Sequence, residues 1–252
     1  TPLYSSAASD VYKRQMIRLP DGNMGKYIES LIKIKNVCLN DLRTGFYESI
    51  KEMGGFIKFI NQRNLFGEVV GDIQVKYSKL KGITVPEKRV PSMIDEFPIF
   101  CIVSCFAEGE TVIKNASELK VKESDRLKAT SDGLKAMNIK HEMLDDGLII
   151  CGQNNDVTAS KEIDSFGDHR IAMSFLISGI RSKNGVCVDN CNNIETSFPN
   201  FKDTMNTLGM KINENMCSWD QGNISEFDIS IVLYFEILNL SLIHISEPTR
   251  LL

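Results

Sequence analysis

The sequence has little of what marks several large classes of protein. It carries no excess of positive charge, since 29 Lys and Arg stand against 33 Asp and Glu for a formal net charge of −4. That balance argues against a nucleic-acid or anionic-membrane surface, while a local basic pocket for a small anion stays open. No apolar run approaches the about 20 residues needed to cross a bilayer, and no start resembles a signal peptide. His is scarce, with three in the chain, none at zinc-finger spacing from the Cys residues, so no metal site is expected. The seven Cys are odd in number and scattered. Two pairs, Cys101/Cys105 and Cys187/Cys191, have C-x-x-x-C spacing, but the first lies in the apolar run Phe97 to Phe106, where Cys packs as a small hydrophobe. The Cys residues read as reduced thiols of a cytosolic protein. What remains, 42 % apolar and 25 % charged, is an ordinary soluble globular mixture.

The two ends stand apart. The opening TPLYSSAASDVYKRQ and the closing SLIHISEPTRLL resemble translated adaptor sequence and are left out of fold reasoning. Between them the chain repeats itself. Three segments, Leu31 to Gly54, Thr111 to Asn138 and Val186 to Met210, each begin with a short alternating strand ending at an Asn: Asn36, Asn115 and Asn190. Each continues through a loop into an amphipathic helix. Placing Met53, Met137 and Leu208 in register aligns Ile50 with Leu134 and Met205, and Phe46 with Thr130 and Phe201, a spacing that marks one buried helical face. A strongly apolar helix precedes the second and third copies, Asp95 to Gly109 and Arg170 to Gly185, while the equivalent stretch before the first copy carries no apolar stripe. The expectation is therefore a foreign segment over 1–30, a repeat domain over 31–212 and an unassigned tail over 213–252. The fold expected is α/β, with buried helices inside and mixed sheets outside.

Three charged clusters are not required by such a repeat. The loop of the middle copy is longer and holds KVKESDR (Lys120 to Arg126), FGDHR (Phe166 to Arg170) precedes the third copy's apolar helix, and Asp95 and Glu96 open the second's. Each has a plain structural reading: Asp95 and Asp168 as helix-start acids, His169 and Arg170 as solvated, KVKESDR as an exposed face. Arg170, however, has the wrong sign for a helix N-terminus and calls for an anionic partner, which favours a bound ligand. Repeat symmetry puts all three clusters at element ends that can share one rim.

KVKESDR, with SMIDEFP, FGDHRIAMS and TSFPNF in the same order along the chain, resembles the EPSP synthase family from about Ile32 to Ile212. The resemblance implies the carboxyl-terminal lobe of a two-lobed enzyme, each lobe built from three βαβαββ units. It also implies transfer of the enolpyruvyl group of phosphoenolpyruvate to the 5-hydroxyl of shikimate-3-phosphate in the shikimate pathway, with no metal or organic cofactor. Carried over by residue, Asp95 would be the base for the hydroxyl and Glu123 the acid/base at the methylene. His169 would hydrogen-bond near the reacting centre. Lys122 would reach toward shikimate-3-phosphate, and Arg126 and Arg170 would grip phosphoenolpyruvate. Many family members carry a Lys before the T/S-F-P element, where this chain has Ile194-Glu195-Thr196; Thr196 and Ser197 read as caps of the following helix. The partners implied are the two substrates and a missing N-terminal lobe, with neither nucleic acid nor membrane, in a monomer when complete. The alternatives are a relative that acts on UDP-N-acetylglucosamine and a non-catalytic α/β repeat module that binds a partner through its rim.

Overall fold

A computed structural model describes residues 31–207 and 212, apart from 66, 77 and 154–156. The segments expected to be foreign or unassigned, 1–30 and 213–252, lie outside the described residues. Among the described residues no helix is long and apolar enough to cross a membrane.

The described chain divides into two compact units, one comprising 31–40 and 55–78, the other 41–54 and 79–207 with 212. The first unit is a three-stranded antiparallel sheet of β1 (Leu31–Cys38), β2 (Phe56–Leu65) and β3 (Glu68–Lys76), with β3 in the centre. Both edge strands slip register, between Ile34 and Val37 and between Ile60 and Arg63. Asp72 of β3 serves both irregularities: it accepts from the Asn36 backbone N–H at 3.2 Å and from Asn61 Nδ2 at 2.7 Å, and it pairs with Lys33 at 3.0 Å.

In the second unit, α1 (Gly45–Glu52) is the helix of the first repeat copy. The second copy is complete. Its entering segment lies parallel to β4 (Glu108–Ile113) through bridges Lys81↔Glu108 and Thr84↔Val112, and α2 (Phe97–Cys105) is the crossover between them. Then come α3 (Arg126–Ala136), β5 (His141–Leu144) and β6 (Gly147–Gln153), in a sheet ordered β4-β6-β5. First strand at one edge and last strand central is the order of the first copy too. The third copy has β7 (Ile163–Asp164) parallel to β8 (Val188–Asp189), with α4 (His169–Ser178) as crossover. The short α5 (Ile194–Ser197) and α6 (Phe201–Thr207) follow. The fold is α/β, as the repeat implied.

The repeat is visible atom by atom. Asn36, Asn115 and Asn190 all adopt left-handed backbone, with φ of 59°, 59° and 60°, a conformation Asn tolerates far better than branched residues do. Met53 and Met137 both end their helices, and the aligned faces Phe46, Ile50, Thr130, Leu134, Phe201 and Met205 are buried. Every residue of α2 is buried, as is α4 from Arg170 onward. Cys101 and Cys105 lie inside α2, where burial raises both thiols above their ordinary range, so they pack as apolar groups. The two apolar helices are shorter than their apolar runs. Asp95 and Glu96 belong to an irregular 3-10 stretch, Glu87–Glu96, interrupted at Met93 and containing Pro91, and Glu108 and Gly109 already pair in β4.

Backbone closeness fixes some glycines. A Cβ on Gly147 would stand 1.9 Å from the Ile113 carbonyl oxygen, across the β4–β6 pairing. Gly147→Ala is expected to lower stability by about 3 kcal/mol, because a backbone atom cannot rotate aside as a side chain can. A urea midpoint matching that of the parent chain would refute this close approach.

Candidate active site

The starts of four helices converge. Arg43 lies two residues before α1, Asp95 and Glu96 immediately precede α2, Arg126 is the first residue of α3, and Asp168, His169 and Arg170 open α4. Ion-pair distances join them. Asp95 faces Arg43 at 3.2 Å, Arg126 at 3.5 Å, Arg170 at 3.8 Å and Lys122 at 4.0 Å. Helix N-termini present unpaired N–H groups and positive potential. Three arginines added to such ends raise the local field further and would be repelled without counter-charges.

Carboxylates supply the counter-charge. Asp168, fully buried, accepts from the Arg170 and Ile171 backbone N–H groups as the N-cap of α4, while Arg126 Nε donates to it at 2.7 Å and Ser124 Oγ at 3.1 Å. Burial opposes the ionised form, but the hydrogen bonds and charge of Arg126 prevail and hold Asp168 below the ordinary carboxylate range. Arg126 also donates to Glu123, whose side chain is half exposed. Arg170 Nη1 donates to the Asp95 carbonyl at 3.0 Å. For Asp95 too burial is outweighed, here by Arg170, Arg43, Arg126 and Lys122, which keep its carboxyl below the usual range.

Glu96 differs. It is 1 % exposed, and both of its oxygens lack a hydrogen-bond partner. Arg43 and Arg170 approach only to 3.7 and 3.9 Å. Burial pushes its carboxyl up to about 7, an effect that Arg170 and Arg43 offset only in part and that neighbouring Asp95 reinforces. His169, half-buried, is held below its ordinary pKa by burial and by Arg170.

The structure thus brings Asp95, Lys122, Glu123, Arg126 and Arg170 together, with His169 adjoining Arg170 in sequence. Several plain readings need correction. Arg170 and Arg126 are buried rather than solvated, and KVKESDR is exposed only in part. Asp95 caps no helix; Asp168 does. Arg170's anionic partners are Asp95 and Glu96 of the chain itself, so a ligand must compete with them. Thr196 and Ser197 lie inside α5, and α6 begins only at Phe201, so they do not cap it. Arg43 was missed, since NDLRTG shows no charge cluster, and neither Glu96 nor Asp168 had a catalytic or binding role assigned although both stand in the quoted motifs.

Arginines and carboxylates gathered at converging helix starts make this α/β repeat lobe a candidate active-site domain. The family model described as EPSP synthase (3-phosphoshikimate 1-carboxyvinyltransferase) matches residues 27–205. A 3-phosphoshikimate 1-carboxyvinyltransferase of Magnetococcus marinus is 45 % identical over 183 residues, covering 73 % of this chain and 41 % of the relative. That of Rhizobium johnstonii is 47 % identical over 185 residues, covering 72 % and 41 %. A solved EPSP synthase from Acinetobacter baumannii superposes with a TM-score of 0.67 at 42 % identity, covering 70 % of this chain and 41 % of that one. The chain belongs to the EPSP synthase family. It spans about two fifths of the length of the curated relatives it matches.

Proposed function

We propose that residues 31–212 form the carboxyl-terminal, phosphoenolpyruvate-gripping lobe of a cytoplasmic enzyme. That enzyme moves the enolpyruvyl group of phosphoenolpyruvate to the 5-hydroxyl of shikimate-3-phosphate. The observation that carries this reading is the convergence of Arg126 and Arg170, both buried, on Asp95 at helix N-termini. Planar guanidinium forks there suit a phosphate and a carboxylate in bidentate fashion, which Lys cannot copy. Asp95 takes the proton of the attacking hydroxyl as its oxygen bonds to the enol carbon. Glu123, at the exposed side of Arg126, protonates the methylene and later removes a proton as phosphate leaves. Lys122 reaches toward shikimate-3-phosphate, and His169 donates or accepts near the reacting centre.

Asp95 is a weak base while four cations surround it. A bound anion draws Arg126 and Arg170 away and restores its basicity where the hydroxyl arrives. Catalysis of this class needs closure against an opposing lobe that excludes water, so the complete enzyme has two lobes, and we take it to act as a monomer. The chain alone is expected to release no phosphate from the two substrates, and phosphate release above background would overturn that expectation. Titration with phosphoenolpyruvate is expected to shift the side-chain Nε–H resonances of Arg126 and Arg170. A partner-binding module would leave both unmoved, which would sink this reading.

A further inference from the structure

The four permanent cations Arg43, Lys122, Arg126 and Arg170 are paired with five carboxylates, Asp95, Glu96, Glu118, Glu123 and Asp168. With all of them ionised these side chains leave no surplus of positive charge, and only the helix N-termini draw an anion in. Four of these carboxylates are held by hydrogen bonds: Asp95 accepts from Arg43, Glu118 from Lys122, Glu123 from Arg126, and Asp168 from Arg126 and the α4 backbone. Glu96 accepts none. The charged groups facing it are Arg43 from the turn before α1, Arg170 from α4 and Asp95 from its own stretch. Arg43 Nε is likewise buried without a hydrogen-bond partner. A carboxylate buried at 1 % exposure beside two guanidinium groups, yet bonded to neither, is a poor permanent partner for them.

We propose that Glu96 is a proton-accepting positioning residue: when a divalent oxyanion of the phosphate class binds Arg170, Glu96 gives up its hold on Arg43 and Arg170 by taking up one proton from solvent. No covalent bond changes; the proton goes to a Glu96 carboxyl oxygen, and the cluster gains one positive charge as the anion arrives. The raised pKa of Glu96 makes that protonation accessible near neutral pH. The inference rests on the proposed anion role of Arg170. By reciprocity, an anion that favours protonated Glu96 must bind more tightly where Glu96 is protonated.

Sulfate tests this, because its own charge does not change near neutral pH. In the full chain, sulfate affinity read from the Arg170 side-chain resonance is expected to fall by about tenfold per pH unit above pH 7. E96Q is expected to flatten that dependence and to bind sulfate more tightly than the parent at pH 8. H169Q is expected to keep the slope, which separates Glu96 from the neighbouring imidazole. A slope that persists in E96Q, or no slope in the parent chain, overturns the inference while leaving the anion site standing. Absence of sulfate binding at every pH overturns both. Should E96Q fail to fold, the carboxyl-carbon shift of Glu96 in the parent chain serves instead. Its titration midpoint is expected to rise when sulfate is added, and an unchanged midpoint refutes the proposal.

Discussion

Asp168→Ala is expected to lower the stability of the chain by about 3–5 kcal/mol, one of the largest losses any single substitution at the site should cause. Two effects add. Arg126 is 1 % exposed, and removing Asp168 leaves a guanidinium buried with only the half-exposed Glu123 beside it and Asp95 at 3.5 Å. The Arg170 and Ile171 backbone N–H groups also lose their acceptor at the start of α4, a cap worth about 1 kcal/mol. Asp168→Asn keeps a cap oxygen but not the charge, so it should lie above the alanine variant by about that cap contribution. Replacing Arg126 and Asp168 together by Met and Leu should recover most of the stability, because a well-packed apolar pair avoids the desolvation that a broken ion pair leaves behind. Urea unfolding followed by circular dichroism measures all three. An alanine variant within about 1 kcal/mol of the parent would mean that the buried pair does not hold α3 to α4.

The same pair sets the acid limb of stability. Asp168 and Asp95 are depressed in the folded state, so their contribution is complete above the ordinary carboxylate pKa and is lost as pH falls through their lowered values. Glu96 runs the opposite way: its carboxyl is raised, so relative stability is greatest below its unfolded pKa of about 4.5 and declines as pH rises toward about 7. E96Q should remove that decline and leave the acid limb in place, which thermal melts across pH 4 to 8 would show.

Much of this was legible in the sequence because helical period and repeat spacing are local properties. The alignment of Ile50 with Leu134 and Met205 needed no coordinates, and all three are fully buried. The shared left-handed Asn was visible only as a repeated letter until the backbone gave it a reason. The clusters around Asp95, Arg126 and Arg170 were legible as charges the repeat does not require, and Arg170 as the wrong sign for a helix start. Arg43 was not, because its sign matters only through residues distant in sequence, Asp95, 52 residues away, and its neighbour Glu96. The burial of Glu96 was hidden for a related reason: DEFP reads as two helix-start acids, and only the kinked 3-10 stretch turns the second one inward. The entering strand of the second copy, known only by the bridges at Lys81 and Thr84, was also unreadable, being too short and mixed to carry a period.

The largest functional effect is expected at Asp95. In a full-length enzyme carrying this lobe, Asp95→Asn is expected to lower kcat by about 10²–10⁴-fold, the usual contribution of a positioned base. KM for phosphoenolpyruvate should change far less, because Arg126 and Arg170 keep their other anchors, Asp168 for the first and the Asp95 carbonyl for the second. Asn is nearly isosteric and leaves that carbonyl in place, so a fall in kcat would report the lost proton acceptor rather than a collapsed site. The pH profile provides the stricter check. If the bound anion draws Arg126 and Arg170 from Asp95, its pKa in the complex rises above that of the ligand-free form, and the acid limb of kcat belongs to it. That limb should vanish in Asp95→Asn. A gene carrying both Asp95→Asn and Glu123→Gln should not support growth without aromatic amino acids, since neither hydroxyl deprotonation nor methylene protonation would have its group. Growth on such a gene, or an acid limb unchanged in the single variant, would assign the proton transfers to other residues.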